Sequence, residues 1–143
     1  MIINKKATFD YEFIKTEIAG IVLFGSEVKS IRAGKANLKD SFCVFQNNEL
    51  FTSFHISENK ESSYNNHNPT RPKKLLLTKE QLNKFKKAIE TKGLTIIPYK
   101  VFINDNGLIK VEVVLVKGKK LYEKRETIKE NDINRDLKQQ LNY

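Results

Sequence analysis

Polar and apolar residues alternate near the start of the chain. Phe9, Tyr11 and Phe13 fall on one side of an extended backbone, and Thr8, Asp10 and Glu12 fall on the other. That period of two predicts a strand across residues 7–23. The period then lengthens in Ser26-Glu27-Val28-Lys29-Ser30-Ile31-Arg32-Ala33-Gly34, where Val28 and Ile31 lie three apart. A short helix is expected there, with Ser26 as N-cap, Gly34 as stop, and Glu27, Lys29 and Arg32 directed away from the apolar side. Two further runs, 41–46 and 50–56, flank Asn47-Asn48-Glu49 and predict a short-looped hairpin.

Residues 57–70 are rich in Asn, Ser, His and Pro, a loop composition. Beyond the basic stretch Arg71-Pro72-Lys73-Lys74, Thr78 and Gln81 have capping-box spacing, and Leu82, Phe85, Ala88 and Ile89 form a stripe at helical spacing that ends before Gly93. A second helix is expected there. Residues 94–103 and 108–116 read as a hairpin turned by Asn104-Asp105-Asn106-Gly107, with Pro98 marking an edge or a bulge. The sum is a mainly β chain of about six antiparallel strands with two or three flanking helices. A small closed barrel is the economical arrangement, because closure removes exposed strand edges.

The barrel body is expected to occupy residues 1–116 and a flexible C-terminal tail residues 117–143. The tail carries eight Lys/Arg against five Asp/Glu, a net +3, and cannot build a core. Ile133, Leu137 and Leu141 recur every four residues, so one thin apolar stripe is available to a helix once a partner receives it. Disorder is expected in the free protein.

Charge narrows the partner class. With a net charge of +9 and a pI near 9.6, the 143-residue chain calls for a polyanion, either nucleic acid or an anionic membrane surface. A general drift towards lysine would raise the same number without any binding role, so placement has to decide. The tail stripe carries no Trp or Phe anchor, which disfavours a membrane. Cys43 is the single cysteine, and this excludes an internal disulfide and every multi-cysteine zinc site. Without a leader pattern behind Met1 or a long apolar span, a cytoplasmic protein is expected.

The residues of catalysis are missing as patterns. There is no Gly-rich phosphate loop, paired-cysteine motif or HExxH, so no enzyme activity, cofactor or metal is expected. Asp132 and Asp136, four apart, read as a solvated helix face. His55 and His67 read first as satisfied structural histidines.

Binding residues are easier to find. Arg71, Lys73 and Lys74 are either solvated charges or phosphate contacts, and the nearby Tyr64, His67 and Pro69 offer surface that stacks on unpaired bases. Tyr99, Tyr122 and Phe102 are core or platform, with core favoured for Phe102. The run Lys117-Gly118-Lys119-Lys120-Leu121-Tyr122-Glu123-Lys124-Arg125 begins where the last strand pattern stops, at the rim of a scaffold. Glycine there permits close backbone approach while the flanking cations reach phosphates.

These motifs together resemble the SmpB family of SsrA-binding proteins across nearly the whole chain. The resemblance rests on Asn4-Lys5-Lys6-Ala7, Ala19-Gly20-Ile21, the stretch from Gly25 through Leu38, and Asp40-Ser41-Phe42. Further on it rests on Asn66-His67, Pro69, Arg71, Lys74-Leu75-Leu76-Leu77, Lys92-Gly93-Leu94-Thr95-Ile96-Ile97-Pro98, Lys117-Gly118-Lys119-Lys120 and Glu123-Lys124-Arg125-Glu126. It departs at Thr8-Phe9, where members often carry Arg-His.

The resemblance implies an oligonucleotide-binding-like antiparallel β-barrel and a non-enzymatic role in trans-translation. The body would hold the tRNA-like domain of tmRNA. The complex, with EF-Tu as a further partner through tmRNA, would enter the vacant A site of a stalled ribosome. The tail would lie as a helix along the empty mRNA channel beyond the small-subunit decoding centre. RNA-binding positions implied are Asn4, Lys5, Lys6, Glu27, Lys29, Arg32, His67, Arg71, Lys73, Lys74 and Leu76, with Glu27 orienting Lys29 or Arg32, or accepting from a ribose or base donor. Ribosome-facing positions implied are Lys117, Gly118, Lys119, Lys120, Tyr122, Lys124, Arg125, Lys129, Arg135 and Lys138. A monomer is expected. The alternative is a generic barrel protein with affinity for single-stranded nucleic acid.

Overall fold

The computed structural model of the chain describes residues 1–58, 66–91 and 93–118. Its elements, in order, are β1 (Ile2–Ile3), α1 (Ala7–Asp10), β2 (Tyr11–Ile21), α2 (Gly25–Arg32), β3 (Ala36–Asn37), β4 (Cys43–Gln46), β5 (Glu49–Thr52), β6 (His55–Ile56), β7 (Lys73–Leu76), α3 (Lys79–Ile89), β8 (Leu94–Ile103) and β9 (Ile109–Gly118). The main sheet runs β1-β8-β4-β5-β7-β2-β9, and β9 pairs back onto β8. Six antiparallel strands therefore close a ring, with β1 added beside β4 along the same edge of β8. This is the barrel that the alternating segments imply.

The two long arms of the ring are bent by irregularities. Register shifts between Phe13 and Lys15 in β2, and between Pro98 and Lys100 in β8. A bulge bends a strand and increases its twist, which closure of a small ring requires. Pro98 falls at the second bulge, as its missing N–H suggests. The β4–β5 turn places Asn47 and Asn48 at φ 53° and 64°, and asparagine tolerates this left-handed backbone better than most residues.

Strand β9 shows why its sequence does not alternate throughout. Val111, Val113 and Leu115 face the barrel interior with Leu50, Phe54, Leu75, Ile96 and Val101, and Phe85 of α3 joins this core. Val114 and Val116 face the other way and are equally buried, in a second cluster with Ala7 of α1, Ile97, Tyr11, Phe13 and Tyr99. A strand covered on both faces reads as a continuous apolar run. Phe13 and Tyr99 meet edge to face there, with centroids 4.9 Å apart.

Several expectations need correction. The predicted strand over residues 7–23 begins only at Tyr11, because Ala7–Asp10 form a helical turn whose Ala7 seals the outer cluster. The second hairpin run divides: β5 stays in the barrel, whereas β6 pairs with β3 in a two-stranded sheet. The last strand extends past Val116, with Lys117 opposite Glu12 and Gly118 opposite Tyr11. Phe102 is half-buried and belongs to neither buried cluster. Helix α3 forms as expected, with Thr78 Oγ1 accepting from the Gln81 N–H and Gln81 Oε1 accepting from the Thr78 N–H.

Candidate nucleic-acid interface

Helix α2 starts two residues earlier than its sequence suggests and is capped differently. Phe24 is the N-cap, and the Glu27 carboxylate accepts the Phe24 N–H at 2.7 Å. Ser26, expected as the cap, faces His67 Nδ1 at 2.8 Å. Glu27 is therefore turned inward and fully buried, opposite to its predicted direction away from the apolar side. Its partner is Arg71 and not Lys29 or Arg32. Arg71 Nη2 and Nε donate to the two carboxylate oxygens at 2.6 and 3.1 Å. Burial opposes ionisation of Glu27, but the Arg71 hydrogen bonds and charge and the Phe24 N–H outweigh it and hold the pKa below the usual glutamate value.

Arg71 is fixed on every side. Its guanidinium also donates to Val22 O at 3.2 Å and lies over the Phe24 ring, 3.9 Å from the centroid. The backbone behind it is tied by Lys73, whose ammonium donates to Arg71 O at 2.7 Å and Phe54 O at 3.0 Å. Lys73 is fully buried and stands 4.8 Å from the Phe54 ring. Burial lowers its pKa to about 8, partly countered by the Glu27 charge. The expectation that Lys73 is a solvated or phosphate-reaching cation is thereby corrected. His67 is similarly internal: Nε2 donates to Ile56 O at 2.9 Å, so its ring is clamped between α2 and β6 and is not an open stacking surface.

This scaffold supports an open groove of about 350 Å³ lined by Gly20, Ile21, Leu23, Val28, Arg32, Leu76 and the segment Gly107-Leu108-Ile109-Lys110. Leu76 and Leu108 are half exposed or more at its rim, at 50% and 57%, beside the cations Arg32 and Lys110. Gly20 lies opposite Leu76 in the β2–β7 register, and a Cβ at Gly20 would come within 3.2 Å of Leu76 Cβ. The absence of a side chain there keeps the groove open. Arg32 Nη2 donates to Gly107 O at 3.1 Å, which joins the end of α2 to the β8–β9 turn. Apolar walls with cationic edges suit a ligand that has both flat bases and phosphates.

Other predicted residues lie around this centre or away from it. Lys29 is exposed on α2, and Lys74 is paired with Glu49 at 3.1 Å. Asn4, Lys5 and Lys6 precede α1 and line a different groove, which shares no residue with the one at Leu76. Lys117 and Gly118 are exposed at the end of β9. Lys119, Lys120, Tyr122, Lys124, Arg125, Lys129, Arg135 and Lys138, together with Tyr64, lie outside the described residues. Phe24, which stacks under Arg71, and Leu108 and Lys110, which line the groove, escaped the sequence reading, since nothing local marks a residue whose role depends on a partner distant in the chain. Among the described residues there is no group of three or more His, Cys, Asp or Glu side chains able to hold a metal, and no helix long and apolar enough to cross a membrane.

Comparison with known proteins gives a concordant result. A family model described as SmpB protein matches residues 1–143. A relative from Christiangramia forsetii, named SsrA-binding protein, is 51% identical over 135 residues, covering 94% of this chain and 86% of the relative. A relative of the same name from Bacteroides thetaiotaomicron is 53% identical over 135 residues, covering 94% and 90%. A solved structure described as "tmRNA-SmpB: a journey to the center of the bacterial ribosome" superposes with a TM-score of 0.72 at 40% identity, covering 89% of this chain and 93% of that chain.

Proposed function

The chain belongs to the SmpB protein family, and from that premise we propose that it is the RNA-binding adaptor of trans-translation, binding the tRNA-like domain of tmRNA and carrying it to stalled ribosomes. The observation that carries this reading is the groove at Leu76, held open by Gly20 and bordered by Arg32 and Lys110, over the buried Glu27–Arg71 pair. Direct contact falls to Lys29, Arg32, Leu76 and Lys110. Glu27, Arg71, Lys73 and His67 act from behind by fixing the groove wall. No bond is made or broken by the protein; its contribution is shape and charge. It works in the cytoplasm as a monomer, with the elongation factor EF-Tu a partner only through the tmRNA complex.

The division of labour places RNA grip in the barrel and ribosome sensing in residues beyond Gly118, with tail cations facing the decoding centre and mRNA channel. The test is a titration of the full chain against the tRNA-like domain, an ordinary tRNA and an unstructured RNA of equal length, at fixed physiological salt. Tight binding of the tRNA-like domain alone is the expected result. Equal fading of all three would favour the generic single-strand reading. A chain ending at Arg125 is expected to keep tmRNA affinity and lose tagging, and equal loss of both would overturn the division.

A further inference from the structure

We propose that Lys73 takes up a proton when RNA occupies the groove at Leu76, so that RNA binding weakens as the medium turns alkaline. The inference rests on reading that groove as an RNA site, and it gives a charge-sensing role to a side chain that never touches the ligand.

The charges behind the groove wall do not balance. Glu27 contributes one negative charge, while Arg71 and Lys73 contribute two positive ones, all within one hydrogen-bonded cluster. The groups around Lys73 are Glu27 from α2, Arg71 from its own segment, Thr52 opposite it on β5, and the ring and carbonyl of Phe54. One strand further, Cys43 bonds Thr52 and holds its thiol proton up to about pH 12. Both ring nitrogens of His67 are taken, by Ser26 and by Ile56 O. Among the described residues no second carboxylate meets the cluster, which keeps a net charge of one positive unit where desolvation makes charge costly. A guanidinium keeps its proton in proteins, so the lysine is the group that yields.

The tie made by Lys73 survives either state. An ammonium has three N–H donors and a neutral amine has two. The side chain faces two carbonyls, Arg71 O at 2.7 Å and Phe54 O at 3.0 Å, with the Phe54 ring 4.8 Å away. Two N–H groups satisfy both carbonyls, so loss of the proton changes the charge and leaves the scaffold in place.

The cluster also reaches the groove. Arg71 Nη2 donates to Val22 O at 3.2 Å, and Val22 lies between Ile21 and Leu23, both in the groove wall. Leu76 stands three residues after Lys73 on the same strand. Phosphates drawn to the rim by Arg32 and Lys110 supply the negative charge that the cluster lacks, through a dry wall that screens little. An anion favours the ammonium form. Lys73 holds its proton up to about pH 8 in the RNA-free fold and therefore to higher pH in the complex. By linkage, binding near pH 8 takes up protons, and affinity falls as pH rises.

The experiment is a calorimetric titration of the full chain with the tRNA-like domain of tmRNA at pH 8, in phosphate and in Tris, whose ionisation enthalpies differ. Expected is an uptake of roughly 0.3 to 0.4 proton more in wild type than in Lys73→Met, and a roughly two- to fivefold weaker wild-type affinity at pH 9 than at pH 7. Lys73→Arg, which keeps the charge and cannot yield it, is expected to level that pH dependence. Equal proton counts in wild type and Lys73→Met overturn the proposal. Should both variants melt early, lysine Cε resonances of the wild type answer the question: the one that titrates near pH 8 in the free protein must move its midpoint upward with RNA bound, and an unmoved midpoint decides against it. Protons are counted on whichever RNA binds, including an unstructured one at low salt. A failure of the tRNA-like preference proposed above therefore remains distinguishable from a failure of the linkage.

Discussion

Arg71 holds the fully buried carboxylate of Glu27 through two hydrogen bonds, 2.6 and 3.1 Å long, across a sequence separation of 44. This pair ties the loop before β7 to the start of α2, and the groove at Leu76 is built on that tie.

Breaking the pair from one side is expected to be far worse than removing it. Arg71→Ala leaves a buried charge uncompensated, a loss of about 3–5 kcal/mol by urea unfolding, while an apolar double replacement, Glu27→Leu with Arg71→Met, recovers most of it. RNA affinity is not expected to return with stability in the double variant, since Phe24 and Val22 lose the guanidinium that orders them. Recovery of both would place the pair outside the interface.

The same pair sets the acid limb of stability. Glu27 has a folded pKa below its unfolded 4.5, so the folded state releases this proton more readily. Its contribution is present above about pH 4.5 and is lost as pH falls through the folded value. Glu27→Gln is expected to flatten this part of the stability curve, measured by urea midpoints against pH.

Lys73 acts at the other end with the opposite sign of charge. Its folded pKa of about 8 lies below the unfolded 10.5, so between those values the unfolded chain binds more protons and stability rises with pH, by at most about 1.4 kcal/mol per pH unit. Tyr11, raised from 10.0 chiefly by burial, opposes this above pH 10. The comparison of wild type with Lys73→Met therefore belongs between about pH 7 and about pH 9.5. A parallel pair of curves would show that Lys73 keeps an ordinary pKa.

Cys43 is buried, and burial, only partly offset by a hydrogen bond with Thr52, raises its thiol pKa to about 12. A thiol-reactive reagent at neutral pH is expected to label the native protein only as fast as the barrel opens, and to label it at once in urea. Fast native labelling would mean that β4 separates easily from β8.

Substitutions in α3 separate local from tertiary stabilisation. Thr78→Ala removes one hydrogen bond of the cap and should cost about 1 kcal/mol. Phe85→Ala hollows the barrel core and should cost about 3–5 kcal/mol, both read by chemical unfolding. Comparable losses would indicate that Phe85 is less essential to the core than its near-complete burial implies.

Much of the fold was written in local pattern. The capping box at Thr78 and Gln81, the turn at Asn104 to Gly107 and the alternation in β2 depend on neighbours within a few residues, so sequence spacing reveals them. The errors share one cause. Phe9 matched the strand period, yet residues 7–10 coil because Ala7 covers Val114 and Val116. Ser26 had the chemistry of a cap, but Glu27 took the Phe24 N–H and left Ser26 to His67. The site was legible as a set of cations and blurred as a geometry: Lys73 and Lys74 are adjacent in sequence, one fully buried and the other paired at the surface with Glu49.

By itself, the sequence determined a basic, mainly antiparallel chain with one cysteine and a family resemblance strong enough to name a partner. Those properties follow from composition, short-range periodicity and ordered motifs, none of which needs a third dimension. Tertiary structure decided which charges are buried, which strand is covered on both faces, and which distant residues meet. Glu27 with Arg71, and Lys73 with Phe54, become neighbours only when the ring closes, because desolvation and long-range hydrogen bonding depend on the whole chain at once.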